Sequence, residues 1–376
     1  MPALYARDRR IDFIKGMGIL LMVYRHARGP ASDFVLLFHM AIFFMASGWL
    51  LNTKYAGDGT QMKKYIGKKL RGLWVPYVCF NTLFVICNNI FLRLNIYTDN
   101  PMFLKADGIE REYAHLGTHY DLSRMLKEII KVLCFQGGTE LGGALWFFNA
   151  LFFVLVLYMV IQYILERMLR REMFVEVAQA VIAVCFLVCG YLCYRKGIYA
   201  YGMNRVLSYY ILVYAGHNCR KWDVLDVVFR KLHPAVVTLL ATAVLLALYH
   251  RGSINLAGNA YTNPGYLLVA SFAGWTMLFG IGTMAGELKK SRVLDGIQYI
   301  SIHAVPIIGL HFLCFKAVSL MAVGFYGMKP YMLAAFPVLM TTEWWWIGYV
   351  AVGIAVPLVM DWGWRRLIHW QTRRSV

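Results

Sequence analysis

The stretch that decides the fold is residues 10–49, which read RIDFIKGMGILLMVYRHARGPASDFVLLFHMAIFFMASGW. Its apolar runs are long enough for two membrane-spanning helices, yet charged side chains interrupt them. If the first run is helical, Lys15 and His26 lie about three turns apart on one face, and Asp12 precedes Lys15 by one turn. Ionisable groups are costly in hydrocarbon, so they face a protein interior or a water-filled cavity. We therefore predict a functional site on this helix.

Arg25 and Arg28 lie near one end of the same helix. Their long side chains either reach the headgroup region or serve a site inside the bundle, and the sequence leaves both interpretations open. His26 has a shorter side chain that does not extend as far. We expect His26 to be functional, the alternative being a packed and hydrogen-bonded core histidine.

The composition of the whole chain is typical of a polytopic membrane protein. Of its 376 residues, 60% are hydrophobic and only 15% are charged, which is far from the usage of soluble proteins. The net charge of +18 comes from basic residues dispersed through short loops. Positive-inside topology explains this charge better than nucleic-acid binding, for which no motif is present. The eight cysteines include no CxxC pair, and we predict no metal site.

The apolar runs predict an all-α bundle of about ten transmembrane helices, the first of them an uncleaved span. With both termini in the cytoplasm, the inside segments hold 23 basic residues and the outside segments hold 10, which supports an N-in, C-in topology. The inside count includes Arg7, Arg170, Lys289 and Lys290. We predict a single membrane domain over residues 1–376. The predicted spans are residues 11–29, 34–52, 73–92, 145–166, 173–193, 203–218, 234–250, 265–286, 300–324 and 340–361.

Two motifs in the opening stretch resemble those of acyltransferase family 3, whose members are integral-membrane acyltransferases known for O-acetylating bacterial cell-surface glycans. The first motif is Lys15, ten residues, then His26. The second is FHMAIFFMASG at residues 38–48, with Ala41 where the family more usually has proline. The lysine and the FHM segment are most similar to the fucose 4-O-acetylase-like branch. The resemblance implies a multi-pass protein of the bacterial cytoplasmic membrane.

A basic segment follows the second span and is predicted to be cytoplasmic. Residues 53–72 carry six basic residues and a single acidic one. The run KKLRGLWVPY at residues 68–77 resembles the family's basic segment before its third helix. This resemblance and the affinity of Lys and Arg for phosphate make Lys68, Lys69 and Arg71 candidates for binding acetyl-CoA. The alternative is a topology determinant that pairs with anionic membrane lipids.

Other candidate site residues are scattered along the chain, and Asp12 and Arg25 are candidates for lining a cavity. Ser47 is a donor-binding candidate, although we favour a packing role for it, together with Gly48, between the first and second helices. Trp146 opens a segment that resembles the family's Trp-Phe signature, and it equally suits an interfacial aromatic belt. Arg205 is a charge within the short sixth span, and we expect it to face a central cavity.

The extracytoplasmic segment at about 93–144 is too long for a structureless connection. We expect it to fold over the bundle and to contain an amphipathic helix near residues 122–135, which suits a lid over an acceptor site. His115 and His119 have the spacing of a metal pair, but a solvated loop is the favoured interpretation. The Gly-rich run at 137–143 lacks a nucleotide-binding motif. Beyond this segment, His311 on a late span is either a cavity-lining residue or a satisfied core histidine.

The resemblance implies a membrane-bound O-acyltransferase that moves acetyl from acetyl-CoA, its cosubstrate, to a hydroxyl of a cell-surface or lipid-linked glycan. His26 would act as general base or as a transient acyl carrier. Lys15 would bind donor phosphate or balance negative charge on the carbonyl oxygen. We expect no permanently bound cofactor. A transporter or flippase for a lipid-linked sugar is the alternative, since ionisable groups also line transport pathways, and a membrane sensor or scaffold is a third interpretation.

Overall fold

A computed structural model describes residues 8–169, 171–286 and 291–374. This part of the chain is mostly α-helical, and a two-stranded antiparallel sheet pairs Ile254 with Tyr261. The four inside basic residues Arg7, Arg170, Lys289 and Lys290 lie outside the described residues. The elements are α1 (Arg9–His26), α2 (Ser32–Leu36), α3 (Ala41–Trp49), α4 (Gly59–Lys69), α5 (Val75–Ile86), α6 (Asn88–Arg93), α7 (Leu122–Leu133), α8 (Trp146–Met168), α9 (Glu172–Arg195), α10 (Met203–Lys221), α11 (Val224–Lys231), α12 (Pro234–Tyr249), β1 (Ile254–Asn255), β2 (Ala260–Tyr261), α13 (Pro264–Gly286), α14 (Arg292–Ile302), α15 (Ala304–Phe325) and α16 (Trp345–Arg374).

Six helical segments of the described chain are long and apolar enough to cross a membrane. A seventh results if α11 and α12, which are bent by 114° at their break, form one span. The remaining predicted spans are helical but less suited to hydrocarbon, since α1 carries charged residues at both ends and α5 has only 12 residues. The membrane class is thus supported, while the number ten and the N-in, C-in orientation stay predictions. The six segments are Ser32–Trp49, Gly143–Met168, Glu172–Arg195, Pro264–Gly286, Ala304–Phe325 and Trp345–Leu367.

The described residues form two compact units. Unit 1 contains residues 8–18, 33–74 and 147–302, and unit 2 contains residues 19–32, 75–146 and 303–374. Both units draw on α1, the helix that carries the opening motif. Our prediction of one domain over residues 1–376 extends beyond the described residues at both ends, and it stays a prediction.

Close contact between α3 and α10 holds the middle of unit 1 together. Gly48 on α3 leaves no room for a Cβ against the backbone carbonyl of Val213, and Gly216 on α10 leaves none against the carbonyl of Met45. Two facing glycines therefore let the helix backbones touch. We predicted that Ser47 and Gly48 pack the second helix against the first. That prediction was wrong for Gly48, because the matching glycine that permits the closest approach lies on α10.

Unit 2 is arranged around α15. Gly309 on α15 faces the ring of Phe80 from α5, and Gly353 on α16 faces the ring of Phe315. These contacts let α5 and α16 pack closely on α15, since a glycine leaves space for an aromatic ring from the neighbouring helix. The α15 backbone is thereby fixed at the positions where its polar side chains lie.

The amphipathic helix predicted within residues 93–144 is confirmed as α7. It begins after Asp121, whose Oδ1 accepts a 2.7 Å hydrogen bond from the backbone N–H of Arg124, as expected of an N-cap. Leu126 and Ile130 are exposed on this helix, whereas Val132 is completely buried. The segment is therefore ordered by local capping and by packing of one face of α7.

Candidate functional site

Two histidines that are 285 residues apart in the sequence meet in unit 2. His26 is the last residue of α1, and His311 lies on α15, where it is completely buried. The Nδ1 atom of His26 lies 2.9 Å from the Nε2 atom of His311. Their rings are nearly parallel, with an interplanar angle of 7° and centroids 5.1 Å apart. We call this pair the histidine dyad.

The hydrogen bonds of the dyad fix the tautomer of each neutral ring. The Nδ1 atom of His311 lies 2.9 Å from the carbonyl oxygen of Ile307. Because a carbonyl oxygen only accepts, His311 must carry its proton on Nδ1, and its Nε2 is then an acceptor. His26 must therefore donate from Nδ1 to His311, which leaves the lone pair of His26 on Nε2. The dyad thus presents His26 Nε2 as a base or a nucleophile.

An aromatic wall lies beside the dyad. The ring of Phe312 is centred 4.7 Å from the ring of His26 and 4.6 Å from that of Phe336. A Cβ added to Gly143 would lie 3.4 Å from both phenylalanine rings, so the backbone at this glycine also borders the wall. Apolar contacts on one side of an imidazole limit the approach of water and hold the ring orientation.

Lys316 fixes the loop that contains Phe336. Its side chain is 3% exposed, and its Nζ donates to the carbonyl oxygens of Leu333, Ala334 and Ala335 at 3.1, 3.1 and 2.9 Å. Three acceptors match the three N–H groups of an ammonium ion. Lys316 therefore ties α15 to the loop immediately before Phe336, the residue that packs on Phe312.

Within unit 2, two polar contacts involve the segment at residues 93–144. Arg28, two residues after His26, forms an ion pair with Glu110 and lies over the ring of Tyr113, 5.3 Å from its centroid. His115 Nε2 lies 2.7 Å from Glu140 Oε2. The hydrogen bond with Glu140 raises the pKa of His115 above its usual value of 6.5. Arg28 and His115 thus have partners in or against this segment, and neither the headgroup nor the metal interpretation is needed to explain them.

A cavity of about 990 Å³ opens in unit 1, where Asp12 lies at its wall. Its lining combines seven carboxylates with four basic side chains. Two of the bases are held by carboxylates, since Arg10 pairs with Asp8 and Asp226, and Lys221 pairs with two glutamates. The excess of carboxylates makes this cavity a poor match for the phosphates of a nucleotide.

The basic segment of unit 1 ends in an irregular helix. A π-helical stretch, Leu70–Trp74, follows α4, and it presents Arg71 as an exposed side chain. Lys68 and Lys69 lie over the rings of Tyr55 and Tyr65, with Nζ 4.9 and 5.2 Å from the centroids. Burial, together with the charge of Lys68, lowers the pKa of Lys69 to about 8. Single π turns within helices often occur at functional sites.

The other predicted site residues lie apart along the helices. Lys15 and Arg25 are half-buried on α1, Ser47 is half-buried on α3, and Trp146 is half-buried at the start of α8. Arg205 donates from Nη1 to the carbonyl oxygen of Ala257 at 3.2 Å, so it binds the loop between the two short strands. Of the predicted site residues in unit 2, the structure brings His26 and His311 into direct contact.

Sequence reasoning missed Phe312, Phe336, Lys316 and Glu140. Lys316 offered a signal, because a charge in an apolar span needs partners, yet its backbone acceptors could not be read from the sequence. Glu140 lies in the Gly-rich run that we tested only for nucleotide binding. Within the described residues, no three His, Cys, Asp or Glu side chains are grouped as metal ligands.

Comparison with known proteins gives one match. A family model described as an acyltransferase domain matches residues 8–362, which is nearly the whole chain. No curated protein and no solved structure matches. The family match covers the first-helix motif, the second-helix motif, the basic segment and both histidines of the dyad. The chain therefore belongs to acyltransferase family 3, the family that its motifs resemble.

Proposed function

We propose that this membrane acyltransferase moves an acetyl group from acetyl-CoA to a hydroxyl of a cell-surface or lipid-linked glycan, in the manner of the fucose 4-O-acetylase-like branch. The observation that carries the proposal is the histidine dyad, because it leaves a lone pair on His26 Nε2. Acyl transfer to an alcohol requires a base for the attacking hydroxyl. The preoriented imidazole of His26, in a chain that belongs to an acyltransferase family, suits this reaction.

In direct transfer, His26 Nε2 accepts the proton of the acceptor hydroxyl as the oxygen attacks the thioester carbonyl. The resulting imidazolium keeps its Nδ1–H bond to His311 Nε2, so His311 stabilises the positive charge and holds the ring in place. Collapse of the tetrahedral intermediate breaks the carbon–sulfur bond, and His26 returns the proton to the CoA thiolate. The products are the ester and the free thiol, with no net proton change.

A second route uses the same lone pair as a nucleophile. His26 Nε2 then attacks the thioester, the carbon–sulfur bond breaks, and CoA leaves as the thiolate. The acetyl group stays on the imidazolium, which keeps its Nδ1–H, until the acceptor hydroxyl takes it, and the proton of that hydroxyl balances the thiolate. This route lets a cytoplasmic donor serve an acceptor on the opposite face of the membrane. Single-turnover experiments separate the routes, because only the second releases CoA before the acceptor is added.

The donor phosphates are assigned to Lys68, Lys69 and Arg71 rather than to the cavity of unit 1. The basic segment carries an excess of positive charge, whereas the cavity lining carries an excess of carboxylates. CoA bears several phosphate charges, so attraction favours the basic segment. Lys15 remains our candidate for balancing charge near the thioester carbonyl.

The test compares wild type, His26→Ala and His119→Ala, each purified in a detergent without a sugar headgroup. Radiolabelled acetyl-CoA is supplied with an extract of lipid-linked glycans, and label in the glycan fraction is measured. His119 is an exposed histidine of the extracytoplasmic segment and serves as the matched control. We expect His26→Ala to lose about a hundredfold or more of the activity, as is usual for a general base, while it still binds acetyl-CoA.

Near-normal transfer by His26→Ala would show that His26 is neither the general base nor the acyl carrier. If the wild type transfers no label but moves a lipid-linked sugar across vesicle membranes, the transporter interpretation replaces the proposal. Absence of acetyl-CoA binding together with absence of transport would leave the sensor interpretation.

A further inference from the structure

Glu140 is a buried carboxylate with one oxygen unsatisfied. Its side chain is 10% exposed, and Oε2 lies 2.7 Å from His115 Nε2. Its other oxygen, Oε1, is enclosed and has no hydrogen-bond partner among the described residues. An unsatisfied buried polar atom destabilises the folded state, and more so where it carries charge. This oxygen is therefore an open acceptor for a hydrogen-bond donor from a water or from another molecule.

The groups around Glu140 restrict the chemistry of that donor. The ammonium of Lys316 and the hydroxyl of Tyr97 lie within electrostatic range of the carboxylate. His115, whose pKa is raised by Glu140, adds further positive charge when it is protonated. A cationic ligand would therefore meet Lys316 and His115 together with Glu140. A neutral hydroxyl donates a hydrogen bond without adding charge, so it fits the site better.

The position of Glu140 links it to the histidine dyad. Its carbonyl oxygen accepts a 2.9 Å hydrogen bond from the backbone N–H of Gly143, so the chain turns tightly between these residues. Gly143 borders Phe312 and Phe336, and Phe312 packs on His26. The loop that carries Glu140 therefore forms part of the wall beside the base. All of these contacts lie within unit 2.

We infer that Glu140 binds a hydroxyl of the polyhydroxylated head group of the acyl acceptor and so positions a neighbouring hydroxyl at His26. This inference rests on the proposed function and specifies its acceptor side. Carboxylates accept hydrogen bonds from sugar hydroxyls through either oxygen, and Glu140 uses the other oxygen to hold His115. The carboxylate is thus an acceptor-binding group that takes no part in proton transfer.

The competing explanation is a buried water that satisfies Oε1 and links it to the protein. Acceptor binding distinguishes the two explanations. If a water fills the site for structural reasons alone, replacing the carboxylate alters stability and leaves affinity for the acceptor unchanged. If a sugar hydroxyl binds there, affinity for the acceptor falls and affinity for the donor does not.

The experiment measures binding of a tritiated polyprenyl diphosphate disaccharide to His26→Ala protein, which cannot turn it over, in a detergent without a sugar headgroup. The same background carries Glu140→Gln or the matched control Glu112→Gln, an exposed glutamate of the same segment. We expect Glu140→Gln to weaken binding about tenfold or more, the usual effect of losing a charge-assisted hydrogen bond, and Glu112→Gln to leave it unchanged. Equal affinity in both variants, or no binding by the parent, overturns the inference.

Glu140→Asp serves where Glu140→Gln fails to fold, since it keeps the charge but withdraws the carboxylate by one methylene, and weaker acceptor binding is again expected. Turnover with an otherwise wild-type chain separates this inference from the proposed function. If the Glu140 variants transfer acetyl with an unchanged KM for the acceptor, Glu140 does not bind the acceptor, and the proposed transferase function still stands. Binding that depends on Glu140 in a chain without transfer activity removes the function and leaves the site.

Discussion

At the residue scale, His26 and His311 differ in what each can do for catalysis. His311 is buried and donates its Nδ1–H to the carbonyl oxygen of Ile307, whereas His26 donates its Nδ1–H to His311 and carries its lone pair on Nε2. His311 therefore acts as a positioning residue, because it fixes the tautomer and the orientation of His26. The different functions of the two rings follow from the carbonyl oxygen of Ile307. Because this oxygen can only accept a hydrogen bond, it sets the tautomer of His311 and, through it, that of His26.

This division of roles predicts different results for two substitutions of His311. His311→Ala removes the acceptor for the His26 Nδ1–H, so that the ring can change tautomer or rotate, and kcat should fall about tenfold to a hundredfold with the donor KM unchanged. His311→Gln keeps an acceptor oxygen near the same place and should restore part of the loss. Steady-state kinetics of both variants check this. Equal activity of the Ala and Gln variants would show that packing, and not hydrogen bonding, is what His311 supplies.

Lys316 allows a stability prediction at the same scale. Lys316→Met keeps the length of the side chain but leaves three buried carbonyl oxygens without their donor. Each unsatisfied group costs about 1–3 kcal/mol, so the free energy of unfolding should fall by about 3 kcal/mol or more. The thermal unfolding midpoint in detergent measures the loss, with the exposed Lys329→Met as control. A midpoint equal to that of the control would contradict the structural role of the ammonium.

At the scale of elements, the π-helical stretch Leu70–Trp74 joins a basic helix to an apolar one. If the basic segment binds donor phosphate, Arg71→Ala should raise the KM for acetyl-CoA several-fold, whereas Lys63→Ala on the exposed surface of α4 should change it little. Lys69 adds a pH dependence. Because its pKa is lowered to about 8, it is charged below that pH and loses its charge above it.

The KM for acetyl-CoA should therefore rise as the pH increases through about 8, and Lys69→Arg should remove this rise because the guanidinium stays charged. The KM is measured in wild type, Lys69→Arg and Lys63→Ala from about pH 6, two units below this pKa, to about pH 9, one unit above it. These measurements check both statements. A KM that responds equally to Lys63→Ala and Arg71→Ala would return the segment to the role of a topology determinant.

Elements were easier to predict than the contacts between them. Local signals sufficed for α7, where Asp121 caps the helix and the apolar period is clear. The partner of His26 was not accessible in this way, because 285 residues separate it from His311 and no periodicity connects them. Gly48 shows the same limit, since its small size indicated a close approach but not that the facing helix is α10. Sequence therefore predicts which side chains need partners more readily than which partners they find.

At the scale of the whole molecule, the number of spans decides which face of the membrane each loop occupies. Six spans and ten spans both place the two termini on the same side. They differ for residues 53–72, because the six-span set keeps Ser32–Trp49, which precedes this segment, but omits the first and third predicted spans. With ten spans and a cytoplasmic N-terminus the segment is cytoplasmic, and with six it is extracytoplasmic together with residues 93–144.

The positive-inside rule favours ten spans, since six would translocate a short segment with six basic residues and one acidic residue. We expect a cysteine at Lys63→Cys to react with a membrane-impermeant maleimide only after the cells are opened, in a background whose native cysteines are replaced. Glu112→Cys lies outside in both arrangements and should react in intact cells. Labelling of Lys63→Cys in intact cells would support six spans, and it would place Lys68, Lys69 and Arg71 on the face opposite to cytoplasmic acetyl-CoA. The labelling of Lys63→Cys therefore tests both the ten-span topology and the assignment of the donor site.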